Sequence, residues 1–590
     1  MAKVKINDHE IEVFKDATIL EAAAELDGVY IPTLCHMNLE SFNVEHRIGS
    51  CRICMVEVVE NTRKRLAPAC CTPVTEGMVI RTNTPEVIQA RRIILELLLS
   101  DHPFDCLNCP KNLECELQAL AKRFGIDHLT YTGEVSTYKK DISSKAIKRD
   151  LDKCILCRRC ETACNDIQTV GTLTGYGRGF NAVVAPAEMK PLSETNCVMC
   201  GQCVNVCPTA ALTEISYTKK VWSALSDTSK KVIVQVAPAV RVAMSEEPGL
   251  NMTGKLVAGL KQLGFEAVFD TNFGADLTIV EESLEIIERL TARDNLPILT
   301  SCCPGWVNFL EFQFPDLIKI PSSCKSPQQM FGAIAKTYYA DKIGVKPADL
   351  VVVSVMPCLA KKHEAGRAEF SHDGVRDVDY VITTRELIRM FNEAGIRLDK
   401  LPEERFDNPL GESTGAASIF GVSGGVLEAA LRTAYEKLTG KELNSINFTQ
   451  VRGLDGIKEA EFNINGRMIR VAAASGLGNA RSLLEKIRSG VSRYDIIEIM
   501  ACPGGCINGG GQPYIHSDTS ILEKRMKALY SIDSSKEIRK SHENPYIMKL
   551  YHDFLGEPGG EKAHSLLHTN YYKGGSLRPL KVPKELRAKN

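Results

Sequence analysis

The sequence predicts a row of small cysteine-rich α+β modules followed by a larger α/β domain, mostly parallel sheet with helices. Three observations predict it. Nineteen of the 22 cysteines fall into spaced groups, and fifteen of those nineteen precede residue 208. Residues 3–14 alternate apolar and polar around Asn7-Asp8, the pattern of a β-hairpin. From about residue 222, apolar strands such as Lys231-Val-Ile-Val-Gln-Val236 and Leu350-Val-Val-Val-Ser-Val355 alternate with amphipathic helical stretches.

At 590 residues the chain is too long for one core, so three or more domains are expected. A net charge of −1 offers no basic excess for nucleic acid and no field toward a membrane surface. The start, Met1-Ala-Lys-Val-Lys-Ile-Asn7, has no signal-peptide core, and no run approaches the ~18 apolar residues of a membrane span. The densest run, Ile93 to Leu99, contains Glu96 and reads as a buried helix turn. A cytoplasmic protein is therefore expected, with neither nucleic acid nor membrane as partner. In that reducing compartment, cysteines in these numbers point to metal ligation rather than disulfides.

After the hairpin, Thr18-Ile-Leu-Glu21 reads as a capping box opening a helix through Leu26, with Gly28 as its stop. Cys35, Cys51, Cys54 and Cys70 follow, a C-x2-C pair with a distant fourth cysteine that fits a 2Fe-2S site. Fifteen residues separate Cys35 from Cys51 where the plant-type spacing has four. Hairpin, helix and cysteines together resemble a β-grasp ferredoxin domain. Cys71 adjoins a ligand and reads as a small buried hydrophobe. His102, Cys106, Cys109 and Cys115 form the next group, which on spacing alone suits either structural zinc or iron. Cys154-x2-Cys157-x2-Cys160-x3-Cys164 and Cys197-x2-Cys200-x2-Cys203-x3-Cys207-Pro208 are two bacterial ferredoxin runs. In such pairs the fourth cysteine serves the other cube, so Cys207 is expected with the first run and Cys164 with the second. The first run lacks the trailing proline and has Asn165.

The α/β region carries three separated motifs: Thr300-Ser-Cys-Cys-Pro-Gly-Trp306, Met356-Pro-Cys358 with Lys361, and Glu498-Ile-Met-Ala-Cys-Pro-Gly-Gly-Cys506 followed by Gly509-Gly-Gly-Gln-Pro513. Cys303, Cys358, Cys502 and Cys506 are the right number of thiolates for one further 4Fe-4S cube. Cys302 stands beside a ligand, a candidate proton carrier. Glycines on both sides of Cys506 remove bulk where backbone must approach a cofactor. Glu282, Glu285 and Arg289 fall three and four residues apart on one helix face, ordinarily a solvated charged face. No dinucleotide fingerprint appears, since Gly421-x-x-Gly424-Gly425 has the wrong spacing.

These three motifs are those of the FeFe (iron-only) hydrogenases, and the sequence resembles that family over nearly its whole length. The N-terminal modules resemble those of the larger hydrogenases and of the big iron-sulfur subunit of respiratory complex I, which favours iron at the His102 group. The resemblance implies an H-cluster, a 4Fe-4S cube sharing the Cys506 thiolate with a di-iron unit that carries CO, cyanide and a dithiolate amine. Three more 4Fe-4S clusters and one 2Fe-2S cluster would carry electrons. Lys361, Pro238, Gln328 and Met356 would surround the di-iron unit; Ala239 stands where many relatives have serine. Cys302, Glu282, Ser322, Glu285 and Arg289 match the family's proton relay, and Cys324 reads as a packed cysteine without a role.

The implied activity is interconversion of H2 with protons and electrons, after maturation proteins assemble the cofactor. Electrons would pass to NAD(P)- and flavin-binding and iron-sulfur partner subunits, to ferredoxin, or to both. A stand-alone ferredoxin-linked enzyme, a sensory hydrogenase and an electron-transfer or iron-sulfur assembly protein are the alternatives. The expected domains are residues 1–78 (β-grasp 2Fe-2S), 79–125 (His/Cys3-ligated 4Fe-4S), 140–218 (two-cluster ferredoxin), 222–520 (H-cluster), 521–572 (helical, small-subunit-like) and a solvated tail, 573–590. Within 521–572, Ser541-His-Glu-Asn544 is expected to cap a helix running to about Leu555.

Overall fold

The computed structural model describes residues 1–574 except 40, 41, 43, 45, 47, 48, 61, 62, 301, 444, 445 and 465. The expected tail lies outside the described residues from 575 onward. The chain forms two compact units: Met1–Asp166 with Gly171–Thr195 and Val206–Thr213, and Ile167–Val170 with Asn196–Asn205 and Glu214–Asn590.

In the first unit, the opening hairpin pairs Ala2–Ile6 with His9–Val13 around Asn7, whose φ is +54°. Its strands enter a five-stranded mixed sheet in the order His9–Val13, Ala2–Ile6, Val79–Arg81, Met55–Glu60, Arg63–Pro68. The capping box forms as expected, with the Thr18 hydroxyl accepting from Glu21 N and Glu21 accepting from Thr18 N. That helix spans Ile19–Ala24 and stops two residues short of Leu26, because the chain already turns at Glu25 before Gly28 at φ +79°. The apolar run at 93–99 lies in the helix Pro85–Ser100, where Leu95 and Leu99 are buried and Glu96 pairs with Arg92 at 3.4 Å.

The second unit contains two four-stranded sheets. One is fully parallel, in the order Ala267–Asp270, Lys231–Val236, Leu350–Met356, Tyr380–Thr383. Its central strands, buried on both faces, read as continuous Val/Ile runs for that reason. The other runs Ile298–Leu299, Ile496–Met500, Arg467–Ser475, Ile457–Ile464, parallel except for the last pair. Cys358 follows the strand Leu350–Met356 and Cys502 follows Ile496–Met500, so both motifs emerge at carboxyl ends, where α/β sheets gather ligands. The buried helix Asn272–Ala292 packs between the second sheet's helices and the C-terminal segment.

The C-terminal helix is capped within the expected segment and runs to Leu555 as expected. Ser541–Glu543 is a 3-10 turn, the Asn544 side chain accepts from Tyr546 N at 3.0 Å, and the helix begins at Pro545. Proline at the first helical position has no N–H to satisfy, which makes Asn544 the cap. The helix then widens to π geometry over Tyr551–Leu555.

The helix Thr384–Glu393 is secured by a second capping box: Glu386 N donates to the Thr383 hydroxyl at 3.1 Å, and Thr383 N donates to Glu386 at 2.7 Å. The same carboxylate takes a 2.7 Å bond from the Lys362 ammonium, and both side chains are fully buried. Removing one partner of a buried pair leaves an uncompensated charge, at a cost of about 3–5 kcal/mol. Glu386→Ala is therefore expected to lower the calorimetric unfolding midpoint clearly, while Lys362→Met with Glu386→Gln recovers much of it; an unchanged midpoint in Glu386→Ala would contradict this account.

Candidate functional site

In the first unit the thiols of Cys35, Cys51, Cys54 and Cys70 are buried and linked by hydrogen bonds in the sequence Cys51, Cys35, Cys70, Cys54. Cys71 is partly buried with its sulfur against the Gly49 backbone, outside that set. Cys106 and Cys109 flank a 3-10 turn, Cys115 precedes the helix Glu116–Arg123, and burial with the nearby Cys109 raises the Cys115 thiol. His102 is half-buried, with an inaccessible Nδ1 that has no hydrogen-bond partner among the described residues, and desolvation holds its pKa below the usual imidazole value. Cys154, Cys157, Cys160 and Cys207 line one cavity of this unit. Burial pushes Cys154 up to about 11, with Cys207 adding to the rise.

Left-handed residues interrupt both ferredoxin runs at matching places, Leu156 (φ +52°) and Arg158 (φ +61°) in one, Met199 (φ +57°) and Gly201 (φ +78°) in the other. Such turns aim successive backbone N–H groups inward and form an anion-holding concavity, as a cluster's sulfides require. Cys164 stays with the first unit, while Cys197, Cys200 and Cys203 belong to the second.

The second unit's chamber is lined by Cys302, Cys303, Cys358 and Cys506 together with Lys361, Gln328, Met356, Pro238 and Ala239. Cys303 precedes the helix Pro304–Gln313, and its sulfur accepts from Ala501 N at 3.4 Å. Trp306 fixes this turn by donating to Thr300 O at 2.9 Å. Cys502 is buried beside Cys358, Cys303, Cys200 and Cys506, and its thiol lies well above the ordinary value through burial first and these neighbours second. Cys358 is pushed up to about 12 by burial and by Cys303. Thiols raised by burial and by close thiol neighbours, as Cys358, Cys502 and Cys506 are, ionise together only around a compensating cation, and a polycationic iron cube suits such a donor set.

The glycine-rich segment comes close to its surroundings. A Cβ on Gly510 would meet Cys200 O and Gly201 Cα at 2.7 Å, and one on Gly511 would meet Thr383 Cβ at 2.7 Å. Gln202 donates to Asn508 O at 3.0 Å, tying the Cys197–Cys203 loop to the same segment. Arg385 clamps it from the other side, donating to Gly510 O at 2.6 Å and Gln512 O at 2.5 Å while paired with the buried Glu214.

Lys361 donates to Cys302 O at 3.1 Å and to Glu364 at 3.0 Å. Burial works against its ammonium, but the Glu364 carboxylate and nearby thiolates outweigh burial and hold its pKa above the ordinary lysine value. Gln328 Nε2 donates to the same Glu364 at 2.9 Å, and Gln328 Oε1 is buried without a partner among the described residues. An ammonium and an unsatisfied amide beside apolar walls suit a cofactor that carries small polar ligands.

Cys302 is raised well above a normal thiol, by burial and then by Cys303 and Cys506; Glu282 is close enough to add to the rise. Burial pushes Glu282 up to about 8, with Glu285 adding, and Glu282 Oε2 is buried without a partner among the described residues. Ser322 donates to Glu285 Oε2 at 2.8 Å, and Arg289 donates to Glu285 Oε1 at 2.5 Å. Cys302, Glu282, Ser322, Glu285 and Arg289 thus lie in one neighbourhood of the second unit. Cys324 is buried beside Glu285, Glu282 and Glu281.

Several contributors escaped sequence reading. Glu364 stands three residues after Lys361 on the helix Ala360–Glu364, a spacing that does signal an ion pair. Arg385, and Thr271 and Phe420 in the chamber wall, carry no comparable local sign. Glu498 closes the motif from below, accepting from Gly424 N at 2.6 Å and Leu427 N at 2.8 Å and so fixing the turn that brings Phe420 and Gly421 to the chamber.

Residues 230–510 match the family described as iron only hydrogenase large subunit, C-terminal domain, and residues 519–574 match iron hydrogenase small subunit. Residues 1–85 match a 2Fe-2S iron-sulfur cluster binding domain, 91–129 the NADH-ubiquinone oxidoreductase-G iron-sulfur binding region, and 191–213 a 4Fe-4S binding domain. Among similar proteins, the NADP-reducing hydrogenase subunit HndD of Solidesulfovibrio fructosivorans is 56% identical over 97% of this chain and 99% of its own length. Iron hydrogenase 1 of Clostridium pasteurianum is 40% identical over 97% of this chain and its full length. A solved FeFe hydrogenase of Chlamydomonas reinhardtii aligns with a TM-score of 0.56 at 46% identity, covering 61% of this chain and all of that one.

Gly510→Ala tests the close approach of the two loops. The variant is expected to fold but to alter the magnetic coupling between reduced iron-sulfur centres in electron paramagnetic resonance, and a spectrum identical to the parent's would contradict the packing described.

Proposed function

The chain belongs to the FeFe hydrogenase family, and on that premise we propose that it is the catalytic iron-sulfur subunit of a multimeric NAD(P)-linked hydrogenase. It is an oxidoreductase acting on H2, holding iron-sulfur cofactors and relaying electrons to a partner. The observation that carries the site assignment is the single chamber shared by Cys302, Cys303, Cys358, Cys506, Lys361, Gln328 and Met356.

When bound, the H-cluster supplies the iron at which H2 is split or formed. Cys303, Cys358, Cys502 and Cys506 would hold its iron-sulfur part, with Cys506 lining the chamber that the rest of the cofactor would occupy. Lys361, kept charged by Glu364, would offer a charge-assisted hydrogen bond to a small anionic ligand of that cofactor. Gln328, Met356, Pro238 and Ala239 exclude water and shape the cavity. In H2 oxidation, Cys302 Sγ passes a proton to Glu282, the Ser322 hydroxyl carries it to Glu285, and Arg289 sits at the partly exposed outer end. The N-terminal cysteines and His102 would hold the further iron-sulfur clusters, three 4Fe-4S and one 2Fe-2S in this proposal, which would supply the path for electrons.

The 56% identity to a subunit named for NADP reduction supports the multimer, because this chain has no dinucleotide fingerprint of its own. Around Cys106 and Cys109 the loop exposes Phe104 (69%), Leu107 (91%) and Leu113 (88%), an apolar rim suited to an iron-sulfur or flavin-containing partner at the electron outlet. A stand-alone ferredoxin-linked enzyme is the second reading, supported by full-length likeness to Iron hydrogenase 1. Maturation proteins are required for the cofactor. Among the described residues no helix is long and apolar enough to cross a membrane.

Cys302→Ala is expected to retain its infrared CO and cyanide bands and lose nearly all viologen-linked turnover; normal turnover would remove Cys302 from the relay. A carboxyl whose folded pKa is raised to about 8 stabilises the fold less as pH climbs from the ordinary carboxyl range through that value. Glu282→Gln should therefore flatten the loss of thermal stability over that window, and an identical pH dependence in parent and variant would sink the assignment.

A further inference from the structure

Glu281, one residue before the relay's Glu282 on the helix Asn272–Ala292, is 1% exposed and takes no part in the path just described. Its carboxylate accepts from the Tyr551 hydroxyl and from Gly559 N at 3.1 Å, and lies 3.0 Å from His568 Nε2. The other ring nitrogen, His568 Nδ1, is 2.8 Å from Ser323 Oγ. Ser323 in turn reaches the relay: its N donates to Glu285 Oε2 at 3.0 Å, and its hydroxyl lies 3.5 Å from the same oxygen. The His568 side chain is only 7% exposed, and its segment is pinned by Lys325 N donating to Leu567 O and Thr569 N donating to Ser323 O, both at 2.8 Å.

Glu281 and Glu285 stand one helical turn apart, two carboxylates on one face that repel each other. His568 and Ser323 span the gap between them. We propose that His568 is a further proton-relay residue, a branch from the C-terminal segment that exchanges a proton with Glu285 through the Ser323 hydroxyl and is held in its working tautomer by Glu281. This rests on the relay through Cys302, Glu282, Ser322 and Glu285.

With Glu281 ionised, Nε2–H donates to it and Nδ1 is left as the acceptor of the Ser323 O–H. A proton arriving on Glu285 moves to Ser323 Oγ as the serine's own proton moves to Nδ1. One carboxyl O–H and one serine O–H break, one serine O–H and one N–H form, and no electron is required. The imidazolium then lies between two carboxylates, Glu281 directly and Glu285 through Ser323. The other groups facing this pair are Arg289 on Glu285, the Tyr551 hydroxyl, the buried Cys324 thiol, and the His564 ring stacked on His568 at 4.5 Å. His564 is exposed and gives the branch a solvent end.

A pin that merely holds the C-terminal segment would not alter proton kinetics, and that separates the two roles. The matured holoenzyme, full chain, is compared with His568→Gln, Glu281→Gln and Cys302→Ala for viologen-linked H2 oxidation and evolution across pH, in H2O and in D2O. Both branch variants should keep their infrared CO and cyanide bands, lose roughly tenfold in rate because the Arg289 outlet remains, move the same limb of the pH profile, and show a larger solvent isotope effect. If both have lowered thermal midpoints but the parent's pH profile and isotope effect, the branch is overturned and His568 is structural. Glu281→Gln keeps an oxygen acceptor of the same shape, so it answers the question where His568→Gln does not fold. Turnover in Cys302→Ala would remove the relay itself, a failure distinct from an active relay indifferent to His568.

Discussion

Burial, with Cys303 and the other thiols close by, raises Cys358, Cys502 and Cys506 in one pocket, and a site of that kind suits a cationic partner for its thiolates. Sulfurs from three motifs far apart in the chain must converge there, so two sheets are needed to deliver them. Cys358 arrives at the end of a parallel strand in one sheet and Cys502 at the end of a strand in the other. The glycine-rich segment after Cys506 must then pass between loops with no room for side chains, which Gly509, Gly510 and Gly511 permit.

Around that centre the protein is held by buried charge more than by surface pairs. Lys361 with Glu364, Lys362 with Glu386, Arg385 with Glu214 and Arg367 with Glu311 are all nearly inaccessible ion pairs of the second unit. Such pairs contribute little net stability against apolar substitutes, but they are costly to break singly, so each fixes its loop in one geometry. Glu498 does the same for the turn before Gly425 through backbone donors alone. Position, rather than stability, is what these charges provide, and it is position that a proton relay and a cofactor cradle require.

Much of this was legible in the sequence because cluster ligands are local: C-x2-C spacing encodes a loop wherever it occurs, and Thr18 to Glu21 encodes a cap. The strands Lys231–Val236 and Leu350–Met356 were legible because strands buried on both faces are apolar throughout. Glu282, Glu285 and Arg289 read by themselves as a solvated face; family resemblance, not periodicity, marked them, and helix Asn272–Ala292 buries the first of them. Arg385, Glu498, Glu281 and His568 left no signal, since their partners lie far along the chain and only the folded packing chooses them. The C-terminal helix was legible because Asn544 closes the Ser541-His-Glu-Asn544 segment as its cap and Pro545 follows as the first helical residue.

The most direct test of the central claim is viologen-linked H2 oxidation by the anaerobically purified chain after co-expression with the maturation proteins, with infrared spectra of the same sample. Hydrogenase chemistry at the Cys303, Cys358, Cys502, Cys506 centre predicts CO and cyanide bands together with rapid viologen reduction under H2. A fully loaded cofactor by infrared that neither oxidises H2 nor evolves it from reduced viologen would contradict the account.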